Sequence, residues 1–65
     1  MDFISVKCFL NTPRLSDEIK DRIKKEFHAT DIADTMLVAF IRLPVKYLDD
    51  LKAIDEIKKV KILNT

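Results

Sequence analysis

Glycine is absent from this sequence, and so is tryptophan. Without glycine there is no glycine-rich loop to cradle a phosphate, and every turn has to be made with Asn, Asp, Thr or Pro. Cysteine occurs once, as Cys8, which excludes a disulfide within the chain and any CxxC pair for metal or redox work. A lone thiol in an alternating apolar segment fits a reducing, cytoplasmic setting and packs as a small hydrophobe. No apolar run approaches the roughly 20 residues of a membrane-spanning helix. Met1-Asp2-Phe3 opens without the basic residues of a secretory leader, so none is expected. Charge of one sign is also not in excess. Twelve Lys and Arg against eleven Asp and Glu leave a net charge of +1, which argues against wholesale attraction to nucleic acid or anionic lipid.

What is present is 65 residues, read as one small domain over residues 1–65. A domain of this size buries only about 60% of the surface its unfolded chain exposes. With no disulfide available, pairing with a second copy is the expected reinforcement.

The stretch Met36–Leu43 is apolar except at Arg42 and is closed by Pro44. It is too short for a helix and contains Val, Phe and Ile, so it reads as a buried strand. Phe3 to Leu10 alternates, with Ile4, Val6, Cys8 and Leu10 on one face, which reads as a half-buried strand. Leu15 to Phe27 reads as a helix. Ser16 is its candidate N-cap, Asp17 and Glu18 suit its first turn, and Ile19, Ile23 and Phe27 form one apolar stripe. Lys20, Lys24 and Lys25 interleave with Asp17, Asp21 and Glu26 as a solvated helix face. Pro44 opens a second expected helix, ending near Ile54, and Lys58 onward alternates again as a last strand. Residues 28–35 are either a loop or a short strand around Thr30–Ala33 turning at Asp34-Thr35.

With the short second strand, the order β-α-β-β-α-β is that of a two-layer α+β, ferredoxin-like (split β-α-β) domain. Without it, a three-stranded β-α-β-α-β layer is the alternative. The segment from Leu51 to Leu63 resembles the helix-turn-strand close of many small domains of the ferredoxin-like fold, amino-acid-sensing regulatory domains among them. That resemblance implies the fold alone.

The residues that could carry chemistry are few. His28, Asp31 and Asp34 lie three apart, but in a stretch where Asp is expected for turn hydrogen bonds rather than as a rigid metal ligand. Cys8 shares a strand face with apolar side chains, unlike a reactive thiol paired with His28. Asp49-Asp50 and Asp55-Glu56 are sequence neighbours, which do not face each other on a helix. No metal or cofactor and no enzymatic activity are expected, and no membrane contact.

Attention falls instead on the sheet. Helices on one face of a two-layer domain leave the other bare. If Ile4, Val6, Cys8, Leu37, Ala39, Ile41, Val60 and Ile62 face the helices, the outward set combines Phe3, Phe9, Met36, Val38, Phe40 and Leu63 with Lys7, Arg42, Lys59 and Lys61 and contains no acid. An apolar face of this kind marks an interaction site. In the first reading the chain is a regulatory or inhibitory module that homodimerises and binds a protein partner, with Phe9, Val38, Phe40 and Leu63 at the centre and the basic residues at the rim. In the alternative, the rings stack the bases of single-stranded nucleic acid while Lys7, Arg42, Lys59 and Lys61 hold phosphates. That arrangement resembles RNA-recognition modules of the same fold, although the glycine-aromatic run of their third strand is replaced by Leu37-Val38-Ala39-Phe40-Ile41. A small-ligand sensor is a further alternative, with the ligand between subunits.

Overall fold

The computed structural model describes residues 2–63. Four strands and two α-helices follow one another as β1 (Phe3–Leu10), α1 (Asp17–Glu26), β2 (Asp31–Thr35), β3 (Val38–Pro44), a 3-10 turn (Val45–Tyr47), α2 (Leu48–Lys52) and β4 (Ile57–Ile62). The strands form one sheet in the order β2-β3-β1-β4, with every neighbouring pair antiparallel. The architecture is therefore a small α+β one with a four-stranded antiparallel sheet. The short second strand is present, and the three-stranded alternative is set aside.

The sheet side of the core comes from alternate residues. Val6, Cys8 and Leu10 of β1 lie beside Ala39, Ile41 and Leu43 of β3, all buried. Leu15, Ile23 and Phe27 on the α1 side and Leu51, Ile54 and Ile57 on the α2 side close over them. Each aliphatic or aromatic side chain fully buried in this way stabilises the fold by about 1.5–3 kcal/mol. Both helices thus serve one face of the sheet, and the other face is left open.

Helix α1 begins where its sequence says it should. Ser16 is extended (φ −68°, ψ 155°), and its Oγ accepts the Ile19 N–H at 3.3 Å. Its end falls at His28, whose φ of 55° puts it in the left-handed position that glycine usually fills after a helix.

Several boundaries differ from the sequence reading. Asp34 and Thr35, expected to form the turn after a strand around Thr30–Ala33, are the last two residues of β2 and pair with Ala39 and Val38. Met36 and Leu37 are not strand residues but the two-residue turn between β2 and β3, with Leu37 at φ 65°. Leu37 N–H donates to Pro13 O (2.8 Å) and its carbonyl accepts Leu10 N–H (2.9 Å), so contacts with the β1–α1 connection hold a leucine where Asn or Gly would be at ease. Pro44 is both a strand end and the N-cap of the 3-10 turn that leads into α2, so the α-helix itself starts only at Leu48. As the end of β3 it is paired with Phe3 and buried, and its fixed φ of −60° suits the extended backbone there. The helix that follows is correspondingly short, and it tightens at its end through Ala53 N–H to Asp50 O and Ile54 N–H to Leu51 O, both 3.2 Å. Ile62 is on the inward side by register with Val6 but is 47% exposed, at an end of β4 that the helices do not cover.

Candidate interaction surface

The antiparallel register arranges the outward residues of the sheet in rows, because directly opposed residues share a face. One row reads Thr35, Val38, Phe9 and Lys59 across β2, β3, β1 and β4. The next reads Ala33, Phe40, Lys7 and Lys61. The third reads Asp31, Arg42 and Ser5, and is completed by Leu63, whose N–H donates to Ser5 O at 2.9 Å. Rows two residues apart along a strand are about 6.8 Å apart. Phe3, opposite Pro44, lies beyond the third row.

The register thus puts Phe9, Val38 and Phe40 on one face with Lys7, Arg42, Lys59 and Lys61, and Leu63 joins them through its hydrogen bond to Ser5. Phe9 and Val38 are half-buried, packed by their row neighbours, whereas Phe40 is 41% and Leu63 49% exposed. Arg42, Lys59 and Lys61 are exposed and Lys7 is half-buried. The Lys7 ammonium sits between two rings, 5.1 Å from the centroid of Phe9 and 6.0 Å from that of Phe40. The Arg42 guanidinium lies 5.7 Å from the centroid of Phe3. A cation over an aromatic face is attracted by the ring quadrupole, so these cations are held flat against the sheet.

Two residues of the expected sheet faces lie elsewhere. Leu37, expected on the helix side, and Met36, expected on the open face, both form the β2–β3 turn and are exposed. The expectation of no acid is also corrected. Strand β2 contributes Asp31, opposite Arg42, as the one carboxylate at an outward register position among the described residues. The sequence did not reveal it because residues 28–35 could not be assigned a face.

Near-neutral net charge conceals a segregation. Asp17, Glu18, Asp21 and Glu26 belong to α1, Asp49 and Asp50 to α2, and Asp55 and Glu56 to the turn before β4. Asp34 points to the helix side, where its carboxylate pairs with Lys20 Nζ at 3.2 Å. Burial works against the charged form of Asp34, but the hydrogen bond and charge of Lys20 outweigh it, aided by its own backbone and by Arg14, and hold its carboxyl below the ordinary range. Among the described residues, the open face is left with Lys7, Arg42, Lys59 and Lys61 against Asp31 alone.

The other candidate groups do not converge. Asp31 and Asp34 fall on opposite faces of β2, and the His28 ring lies against Tyr47, with centroids 5.6 Å apart. Among the described residues no group of three His, Cys, Asp or Glu side chains comes together to hold a metal ion. Cys8 is fully buried, and burial pushes its thiol up to about 11, far from the reactive thiolate form at neutral pH. Asp49, Asp50 and Asp55 are exposed, while Glu56 is engaged by Ser16, whose N–H and Oγ each donate to its carboxylate at 2.9 Å. Among the described residues no helix is long and apolar enough to cross a membrane.

Sequence reasoning missed one further feature, at the free edge of β4. The pairing of β1 with β4 shifts register between Phe9 and Leu10, so that Phe9 is opposite Lys59 and Leu10 opposite Ile57. Lys58 is the extra residue, and both it and Lys59 are exposed. The signal was present as two consecutive lysines interrupting an otherwise alternating strand. No family model matches this chain, and no curated protein or solved structure shows significant similarity to it.

Proposed function

We propose that the chain is a non-catalytic binding module of ferredoxin-like architecture whose open sheet face takes up single-stranded nucleic acid. The ferredoxin-like assignment is supported by the sheet order β2-β3-β1-β4 together with a helix after β1 and another after β3. The single observation that carries the function is the face itself: Phe9 and Phe40 on adjoining rows, flanked by four cations, with Asp31 as the sole outward carboxylate among the described residues. Rings stack on bases of any sequence, and cations track the phosphates.

A second reading, pairing with another copy or docking on a protein partner as a regulatory or inhibitory module, is favoured by the exposed apolar margin of Ile62 and Leu63. Pairing two copies through the centre of the face sets Lys7, Arg42, Lys59 and Lys61 of each against those of the other, with Asp31 as the only offset among the described residues. Like charges across an interface are costly, which places nucleic acid ahead.

Titration of a labelled mixed-sequence single-stranded oligonucleotide at several salt concentrations tests the reading. With three or four phosphates neutralised, log K is expected to fall against log salt with a slope of about −2 to −3. Phe40→Ala is expected to weaken binding by about tenfold or more, the loss of one stacked base. Absence of binding at low salt overturns the proposal, as does a Phe40→Ala variant that binds like the parent. Sedimentation that shows a stable dimer protecting Phe40 from solvent transfers the face to the second reading.

A further inference from the structure

We infer that Lys52, Lys58 and Lys59 hold a phosphate group of the bound strand at the free edge of β4; this rests on the nucleic-acid reading of the open face. The place is defined by two hollows that meet at one pair of residues. The larger, about 310 Å³, is lined by Lys52, Ile57, Lys58, Lys59 and Val60, between the end of α2 and β4. The smaller, about 220 Å³, is lined by Phe9, Lys58 and Lys59. Among the described residues no carboxylate lines either one.

The bulge makes this possible. In an unbroken strand, Lys58 and Lys59 alternate sides and one of them points into the core. The extra residue at the register shift lets both reach solvent, while Ile57 remains buried and Val60 half-buried beneath them as an apolar floor. Glu56, the nearest acid in sequence on the strand side, has its carboxylate oxygens occupied by Ser16 at the start of α1. Lysines along a free edge also deter stray strand pairing. That role accounts for Lys58, Lys59 and Lys61, but not for Lys52, which comes from a different element and turns toward the same hollow.

Three lysines beside an apolar floor suit a phosphodiester, whose single negative charge is spread over two free oxygens while its flanking sugar carbons rest on Ile57 and Val60. The geometry also sets an order along the ligand. A base lying against Phe9 in the smaller hollow has Lys58 and Lys59 beside it, so its neighbouring phosphate falls in the larger hollow, where Lys52 closes on it. The nucleic acid then leaves the sheet across β4 rather than across β2, where Asp31 repels it.

The test uses the exposed double variant Lys52→Ala with Lys58→Ala, together with Phe40→Ala, in the oligonucleotide titration. The double variant is expected to bind about five- to tenfold more weakly at low salt and to lose about one unit of salt slope, whereas Phe40→Ala weakens binding with the slope unchanged. A second readout follows backbone amide resonances as inorganic pyrophosphate is added to the parent protein. Saturable shifts at Lys58, Lys59 and Val60 that vanish in the double variant support the site. If the parent binds the oligonucleotide but the double variant matches it in affinity and slope, and pyrophosphate leaves these amides unmoved, the phosphate site is wrong and the face reading stands. If the parent does not bind at all, the face reading itself has failed and the inference falls with it.

Discussion

The start of α1 depends on a residue from the far end of the domain. Glu56 accepts the Ser16 N–H on Oε1 and the Ser16 Oγ–H on Oε2, each at 2.9 Å, while Ser16 Oγ accepts the Ile19 N–H. A carboxylate at a helix N-terminus also meets the positive end of the backbone dipoles. Removing it with Glu56→Ala takes away part of a cap, worth about 0.5–2 kcal/mol, and a favourable charge, worth about 0.3–1 kcal/mol. Ser16 is exposed and Glu56 half-buried, so water replaces some of what is lost and the expected cost is at the lower end, about 1–1.5 kcal/mol. For a domain of this size the total stability is about 3–10 kcal/mol, so the change is a substantial fraction. It should lower the thermal midpoint by about 5–10 °C. Urea denaturation followed by far-ultraviolet circular dichroism measures it directly, with Glu56→Gln expected to recover part of the loss. The decisive experiment is a double-mutant cycle with Ser16→Ala, for which a coupling of about 0.5–1 kcal/mol is expected. A Glu56→Ala variant within about 0.3 kcal/mol of the parent, or strictly additive mutants, refutes the account.

Two further predictions concern the backbone and the titratable groups. Leu37→Gly should stabilise the protein by about 0.5–1 kcal/mol, because relief of the left-handed conformation outweighs the extra freedom of glycine in the unfolded chain; a fall in the urea midpoint contradicts the turn geometry. Stability against pH should decline at both extremes. At the acid end, Asp34 titrates below its ordinary 3.8 when folded, so its contribution is complete above that value and is lost as pH falls through the lower folded one. At the alkaline end, Cys8 ionises at 9.0 when unfolded but at about 11 when folded, so its contribution is complete below pH 9.0 and lost as pH rises between the two. Substituting Asp34→Asn should flatten the acid limb and Cys8→Ala the alkaline one; limbs that are unchanged in these variants exclude the assignments.

Much of the fold is legible in side-chain periodicity. The alternation of Val6, Cys8 and Leu10, the stripe of Ile19, Ile23 and Phe27, and the inward set of Ala39, Ile41 and Leu43 are local patterns, and the structure follows them. The errors come where distant contacts decide. Met36 and Leu37 carry no turn chemistry, and their turn exists because Leu10 and Pro13 hydrogen-bond to Leu37 across the fold. Pro44 suits both a helix start and a strand end, since both accept its fixed φ, and it serves as both: it pairs with Phe3 and caps the 3-10 turn, a strand role that only the distant Phe3 reveals. The outward register positions of Lys7, Phe9, Val38, Phe40, Arg42, Lys59 and Lys61 were legible because a period of two assigns a face without knowledge of strand order. Asp31 was not, because β2 is too short and too polar to show its period. The engagement of Glu56 by Ser16 lies outside any local pattern, the partners being 40 positions apart.

The position of β1 has a consequence for how the domain is made. Of the four strands it emerges before the others, yet its neighbours on both sides are β3 and β4, so neither flank can be satisfied until much later residues have followed. Its backbone amides and its greasy inner side chains wait in an unfinished nascent chain, where long-range closure is slow. A truncation that removes β4 strips the margin of its lysines and turns the middle of the sheet into a bare border that invites cross-molecular strand exchange.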